Sequence, residues 1–267
     1  MKIYPPVALN EIGSRSNNED SIFPNEPSLE DELFLVCDGV GGQDKGEVAS
    51  RLICEYLPKY FAKNQVDIYD KEYLESALNF VEHYMHDYTK LNAEASKMAT
   101  TLTLLYLSKK ENTALIGWVG DSRVYHIRNG KILFQTKDHS EVQSLVDMGE
   151  ISEKEAENHP RKNIITRAIS GKNPTRIDQK IIVNIKPNDF FLLCSDGILE
   201  NLNKEKINKW FIEENTPSEI KSKILKSSLN NTKDNFSMIL IKIDCLENSK
   251  QKTTIKIIKR SITDLFK

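Results

Sequence analysis

Short apolar runs that end at turn residues constrain the fold of this chain more than any other sequence feature. Asn129-Gly130 separates two of these runs and is a strong signal for a β-hairpin. Asn188-Asp189 separates two others, and we expect a second turn there. Hairpins pair strands antiparallel, which excludes a doubly wound parallel sheet. The predicted strands are Leu33–Cys37, Leu102–Leu107, Ala114–Val119, Val124–Ile127, Ile132–Phe134, Ile181–Ile185, Phe190–Cys194 and Met238–Ile243.

Two longer segments carry apolar residues at helical spacing. The first extends from Val48 to Phe61, and Pro58 is expected to end or kink it. The second extends from Leu74 to Leu91 and has the pattern of an amphipathic helix. Because the helices lie between batches of strands, we predict an α+β fold with two packed antiparallel sheets and helices outside them.

A polar insertion from Ser140 to Asn173 interrupts the pattern of strands. Ser140 to Gln143 and Ser152 to Glu155 both fit the capping-box pattern of a helix N-terminus. The two short helices predicted there have little apolar surface. We therefore expect this insertion to form a flap on the surface.

The charge balance excludes some classes of function. Lys and Arg number 37 and Asp and Glu number 39, so the formal net charge is −2. A general nucleic-acid binder has a strong basic excess, and we expect no nucleic-acid partner. No apolar run is long enough to span a bilayer, and Met1 to Asn10 lacks the apolar core of a signal peptide. The four cysteines form no C-x-x-C pair and are expected to be reduced, so we predict a cytoplasmic protein.

Acidic residues stand at the ends of the apolar runs, usually next to glycine. They are Asp38, Asp121, Asp196 and Asp234, and Glu19-Asp20 forms a further acidic pair. A single Asp-Gly is most often a turn, but a buried carboxylate is costly unless it is paired or binds a cation. Ligands that are all oxygen, without a Cys or His cluster, suit Mg²⁺ or Mn²⁺. Converging carboxylates could hold two ions about 4 Å apart, an arrangement that hydrolyses phosphate esters.

The motifs that contain these residues resemble those of the PP2C-type (PPM) metal-dependent protein serine/threonine phosphatases, in particular their compact bacterial branch. They occur in the family's order, from about residue 8 to residue 243. The motifs are Arg15-Ser-Asn-Asn-Glu-Asp20, Asp38-Gly-Val-Gly-Gly42, Ala99-Thr-Thr101, Gly120-Asp-Ser-Arg123, Asp138-His-Ser140, Ser195-Asp-Gly197 and Asp234-Asn235.

The resemblance implies an αββα sandwich with a metal centre at one end of the two sheets. In this arrangement Asp38 bridges two core ions, and Asp196 and Asp234 complete one of them. Glu19 and the backbone carbonyl of Gly39 help to hold the other ion. A water shared by the two Mn²⁺ or Mg²⁺ ions then attacks phosphorus directly, in one step, on phosphoserine or phosphothreonine of a protein substrate.

Further residues receive roles from the same resemblance. Asp121, together with Asp196, matches the pair that holds a third, weaker ion. Arg15 matches the arginine that binds the substrate phosphate, and its planar guanidinium suits two phosphate oxygens. The other assigned residues are Asp20 and Asn235 behind the ligands, Asn163 in the flap near the third ion, and His139 at the start of the flap.

Two positions depart from the family pattern. Val40 stands where many eukaryotic relatives carry a histidine proposed as the general acid, so the proton donor to the leaving group is not identified. Ala99 replaces the more usual glycine of a Gly-Thr-Thr motif, and we expect only tighter local packing there.

The C-terminal residues lie beyond the resemblance. We assign residues 1–247 to one phosphatase domain, with the flap at about 140–173, and residues 248–267 to a basic amphipathic tail. The tail from Lys250 has an excess of five positive charges, and its helical apolar face suits docking to a partner or a membrane surface. Residues 1–249 then carry about −7, as expected for a cation-binding domain.

Two other functions fit parts of the pattern. The first is a non-catalytic module that binds phosphoproteins on the same scaffold. The second, drawn from the carboxylates alone, is a two-metal nuclease or nucleotide hydrolase. The phosphatase hypothesis additionally predicts a Ser/Thr protein kinase pathway as its context, and we expect a monomer.

Overall fold

The structure is a computed structural model that describes residues 1–40, 45–229 and 231–246. Its strands form two six-stranded sheets in which all pairings are antiparallel. This confirms the predicted antiparallel pairing. The strands are β1 (Lys2–Ile3), β2 (Val7–Glu11), β3 (Asp20–Phe23), β4 (Leu33–Val40), β5 (Ala99–Thr100), β6 (Leu102–Ser108), β7 (Thr113–Val119), β8 (Arg123–Arg128), β9 (Lys131–Gln135), β10 (Asp178–Ile182), β11 (Phe190–Cys194) and β12 (Phe236–Cys245).

The first sheet has the strand order β1-β12-β11-β8-β9, with β2 also paired to β12. The second has the order β10-β7-β6-β4-β3, with β5 also paired to β4. Asn129 and Gly130 have φ values of 45° and 74° and join β8 to β9, which confirms the predicted hairpin.

The helices lie between and beyond the strands in the sequence. The first, α1, continues through Pro58 to Lys63, so the expectation that this proline ends the helix was wrong. Proline removes one backbone donor, and the apolar face on both sides of Pro58 holds the helix together by packing. The helices are α1 (Gly46–Lys63), α2 (Tyr73–Leu91), α3 (Glu141–Asp147), α4 (Glu153–Glu157), α5 (Asp196–Leu199), α6 (Lys204–Trp210) and α7 (Pro217–Ser228), with a 3₁₀ turn at Ala93–Ala95.

Successive side chains of a strand point to opposite faces of its sheet, and this divides the apolar core into layers. In β4, Leu33, Leu35 and Cys37 pack toward α1 and α2, while Phe34 and Val36 belong to the cluster between the two sheets. On the other side of the molecule, β8, β11 and β12 pack against α6 and α7. The layers are therefore helix, sheet, sheet, helix, which confirms the predicted αββα sandwich.

One predicted hairpin does not exist. Residues 181–185 were expected to pair with Phe190–Cys194 across Asn188-Asp189, but β10 pairs with β7 in the second sheet, whereas β11 lies in the first. Asn188 does adopt a left-handed turn conformation, with φ 65°. The buried Asp189 carboxylate fixes this crossing because Lys186 N and Arg128 Nε both donate hydrogen bonds to it.

The flap contains α3 and α4. Ser152 and Glu155 form the predicted capping box, whereas Ser140 caps only the backbone N–H of Gln143. An isolated β-bridge between Thr100 and Ile169 ties the flap to the sandwich, and a second, between Ser140 and Ile165, lies within the flap.

The C-terminal tail, residues 248–267, lies outside the described residues, as do Gly41 and Gly42 of the Asp38 motif. A helix with the length and apolarity of a membrane span does not occur in the described part of the chain.

Candidate metal centre

Four strand ends bring aspartates to one end of the sandwich. Asp38 lies near the end of β4, and Asp121 follows β7 in the same sheet. Asp196 follows β11 and Asp234 precedes β12, which are neighbours in the facing sheet. The antiparallel register places the end of β11 beside the start of β12, so residues far apart in sequence meet there.

These side chains line one cavity of about 340 Å³ between the sheet ends. Nine residues assigned from the sequence are in its wall, whereas Asp20 and His139 are not. Ser16, Asn17, Thr101 and Ile165 also line it and were not assigned; Ser16, Asn17 and Thr101 stand inside motifs already recognised. The assigned lining residues are Arg15, Glu19, Asp38, Gly39, Asp121, Asn163, Asp196, Asp234 and Asn235.

The main chain around Asp38 is held by threonines. Asp38 N donates to Thr101 Oγ1 at 3.0 Å, and Asp38 O accepts from Thr101 N at 2.8 Å and Thr100 Oγ1 at 2.9 Å. A Cβ on Gly39 would lie 2.4 Å from the backbone of Gly46, so only glycine lets α1 start against this strand end. The Ala99-Thr-Thr101 motif therefore positions the carboxylate at the centre of the cavity.

Burial and neighbouring charges raise the pKa of three carboxyl groups in the cavity. Desolvation, followed by the charges of Asp20, Asp196, Asp121 and Asp234, raises the pKa of Asp38 well above its usual range. Desolvation and neighbouring acids also raise the pKa of Asp121 to about 7 and that of Asp196 to about 6. A bound cation would offset these effects, because it favours the charged form of each carboxyl group.

Asp20 lies behind the cavity and is bonded to the facing sheet. Ser195 Oγ donates to Asp20 Oδ2 at 2.8 Å and accepts from Ser237 N at 3.0 Å. Desolvation raises the pKa of Asp20 to about 7, against these hydrogen bonds. Asp20 thus links the Glu19 segment to the strand that leads into Asp196.

The donor set fits divalent cations. Asp20 Oδ1 and Asp196 Oδ1 are buried oxygens without a hydrogen-bond partner, and both are carboxylate oxygens near the cavity. Within the described ranges, no three His, Cys, Asp or Glu side chains are placed so that they could hold one metal ion by themselves. Any ion there would need backbone carbonyls and water as further ligands, which suits Mg²⁺ and Mn²⁺.

Asn235 holds the loop between β2 and β3, which carries both Arg15 and Glu19. Its Oδ1 accepts from Glu19 N at 2.8 Å, and its Nδ2 donates to Ile12 O and Asn17 O, each at 2.8 Å. The loop that contains Arg15 is therefore held at the start of β12.

His139 joins the loop before Asp121 to the flap. Gly120 N donates to His139 Nδ1 at 3.0 Å, and Thr166 N of the flap donates to His139 O at 2.7 Å. Burial, together with the charge of Arg167, lowers the pKa of His139. Its Nδ1 accepts a hydrogen bond, as in a neutral imidazole, and His139 does not line the cavity, so the geometry suits a structural role.

Known proteins share this arrangement over most of the chain. The protein phosphatase 2C family model matches residues 10–231. The serine/threonine phosphatase stp of Listeria monocytogenes serotype 4b (strain F2365) is 29% identical over 242 residues, covering 88% of this chain and 94% of its own. The crystal structure of Stp1 from Staphylococcus aureus superposes with a TM-score of 0.79 at 32% identity, covering 90% of this chain and 94% of that one.

A further solved structure contains metal. The catalytic domain of the phosphatase PstP, in complex with two manganese ions, has a TM-score of 0.75 at 27% identity and covers 91% of this chain and 100% of that one. The sandwich and its carboxylate cavity thus define a metal-dependent serine/threonine protein phosphatase. The chain belongs to the protein phosphatase 2C family.

Proposed function

We propose that this protein hydrolyses phosphoserine and phosphothreonine on proteins with two Mn²⁺ or Mg²⁺ ions in the cavity between the sheet ends. The convergence of Asp38, Asp196 and Asp234 from both sheets on one cavity carries this proposal. When bound, the ions supply Lewis acidity that polarises the phosphate and acidifies water.

The carboxylates divide between the ions. Asp38, at the centre, would be shared by both ions, Asp196 and Asp234 would close in to hold one, and Glu19 with the Gly39 carbonyl would hold the other. Burial and neighbouring carboxylates raise the pKa of Asp38 and that of Asp196, and this crowding of negative charge supports these roles. Asp121, which lines the cavity together with Asp196 and Asn163, would hold a third and weaker ion.

Arg15 binds and orients the phosphate. Its side chain is 56% exposed at the cavity mouth, and its guanidinium already meets a carboxylate oxygen there. A planar donor pair of this kind fits two oxygens of a phosphoryl group. Among the described residues the cavity wall contains Val40 and no histidine, so the leaving oxygen would receive its proton from water or a cavity carboxyl.

The cellular setting follows from this chemistry. A phosphatase for serine and threonine acts opposite a Ser/Thr protein kinase. We propose the cytoplasm as its site, since the four cysteines are free thiols in the structure. We propose a monomer, with docking of the basic C-terminal tail to a partner or membrane as a further element.

Turnover of a phosphothreonine peptide, titrated with Mn²⁺ and reversed by chelator, tests the proposal. Asp38→Asn is expected to lower kcat on the order of 100-fold or more because it removes the shared ligand charge. The matched control is Asp87→Asn, an exposed aspartate of α2 paired with Lys90, which is expected to leave turnover unchanged. Stoichiometric binding of the peptide without turnover would instead identify a phosphoprotein-binding module, and cleavage of DNA alone a nuclease.

A further inference from the structure

Two cysteines lie side by side directly behind the candidate metal centre. Cys54 Sγ is 3.8 Å from Cys37 Sγ, which is van der Waals contact between two free thiols. Cys37 is fully buried in β4 and immediately precedes Asp38. Cys54 lies on the inner side of α1 and is only half-buried.

The helix–sheet packing holds the two sulfurs in register. Ser21 is the cross-strand partner of Cys37, and Ser50 lies one turn before Cys54 on α1. Ser21 Oγ and Ser50 Oγ are 3.0 Å apart. The serine pair and the cysteine pair are therefore neighbouring contacts between the strands β3 and β4 and the helix α1. The thiol contact is thus part of a fixed interface.

Solvent reaches one of the two thiols. A second cavity, of about 300 Å³, opens beside α1 and is lined by Cys54 together with Ser21, Phe23, Arg51 and Glu55. Cys37 does not line it. A small oxidant would therefore meet Cys54 first.

We propose that Cys54 is a site of oxidative modification and that Cys37 converts the oxidised Cys54 into a disulfide that weakens the metal centre. In the first step the Cys54 thiolate attacks hydrogen peroxide, an S–O bond forms, the O–O bond breaks and hydroxide leaves, giving a sulfenic acid. In the second step Cys37 sulfur attacks Cys54 sulfur, the S–S bond forms, and the S–O bond breaks as water leaves with the thiol proton.

The disulfide would act on the metal centre because β4 and α1 are already in close contact beside Asp38. The sulfurs must close from 3.8 Å to about 2 Å, which draws β4 and α1 together at Cys37. Gly39 and Gly46 are already in backbone contact. Asp38, between Cys37 and Gly39, must shift when the strand tilts about that contact.

Peptide mapping tests the modification itself. The protein is oxidised with hydrogen peroxide in chelator, treated with catalase and digested with trypsin, which places Cys37 in peptide 16–45 and Cys54 in peptide 52–59. We expect these two peptides to be linked, to lack the two thiol hydrogens and to separate in dithiothreitol. Oxidised protein without this link would overturn the proposal.

Mn²⁺ binding tests the effect of the disulfide on the metal centre. This part rests on the proposed function only in assuming that the cavity binds metal ions. Calorimetry is expected to show about tenfold weaker Mn²⁺ binding after oxidation, restored by dithiothreitol. Cys54→Ser should keep its Mn²⁺ affinity after peroxide, whereas Cys245→Ser, which changes another half-buried cysteine, should remain sensitive.

The outcomes separate the two proposals. Linked peptides with unchanged Mn²⁺ affinity, or equal loss in Cys54→Ser, would overturn the coupling to the metal centre. Absence of phosphopeptide turnover in the reduced protein would overturn the proposed function, while the peptide map and the calorimetry still decide the thiol proposal.

Discussion

Arg15 Nη2 donates a hydrogen bond to Asp234 Oδ2 at 2.7 Å. The pair places the proposed phosphate-binding cation directly beside a proposed metal ligand. In the protein without metal, the guanidinium therefore offsets part of the negative charge of the cavity. With ions bound, we expect the same side chain to reach a phosphate at the cavity mouth.

We predict that Arg15→Lys lowers kcat/KM for a phosphopeptide roughly 10- to 100-fold, mainly through KM, because an ammonium group cannot bind two phosphate oxygens at once. Mn²⁺ affinity should be retained in Arg15→Lys and should rise in Arg15→Ala, since the latter removes a positive charge beside Asp234. Calorimetry with Mn²⁺ alone measures this, and weaker Mn²⁺ binding in Arg15→Ala would contradict the assignment.

Asp121→Asn should separate the third ion from the first two. We expect two Mn²⁺ to bind with wild-type affinity, while the Mn²⁺ concentration that gives half-maximal turnover rises about tenfold. The comparison is made by calorimetry and by turnover against Mn²⁺ concentration. Loss of one of the tight sites would show that Asp121 belongs to the core pair instead.

The raised carboxyl pKa values predict how stability depends on pH in chelator. Asp20 and Asp121 have folded pKa values of about 7, and Asp196 of about 6, against 3.8 for an ordinary aspartate. Folding then takes up protons, so stability is highest in acid and is lost as pH rises through the folded pKa values. His139, with a lowered pKa, acts in the opposite direction only below about 6.5.

We therefore expect these groups to lower the free energy of unfolding in chelator as pH rises from about 4 to about 7, with little further change above pH 7, as measured by urea denaturation. Asp121→Asn removes one of the titrating groups and should flatten this dependence. Mn²⁺ should stabilise more at the higher pH, where it no longer displaces protons. A stability that rises with pH over this range would refute the prediction.

Ser195→Ala should destabilise the protein by about 1–3 kcal/mol, because it removes a hydrogen-bond donor from the buried Asp20 carboxyl and leaves the Ser237 N–H without its acceptor. Urea denaturation in chelator gives the value. The matched control is Ser222→Ala on the exposed side of α7, where the serine bonds only to Ser218 O, and a change below about 0.5 kcal/mol is expected. Equal changes in the free energy of unfolding for the two substitutions would show that the hydrogen bonds of Ser195 have no special role in stability.

Much of the architecture could be read from the sequence because its signals are local. The Asn129-Gly130 turn, the two long helices and the Ser152 capping box depend on residues within one turn or one hairpin, and all three occur in the structure. β1, β2, β3 and β5 were missed because they are short and gain their stability from strand partners distant in sequence.

The positions of the acidic residues at strand ends were also evident from the sequence, since each follows or precedes an apolar run. Only the tertiary structure decided which of them meet, because β10 and β11 enter different sheets although they are neighbours in the chain. The same packing set Cys54 against Cys37, and Asn235 against the loop that carries both Arg15 and Glu19. Such contacts arise from the close packing of whole layers of helices and strands. A local pattern of residues does not determine which layers face each other.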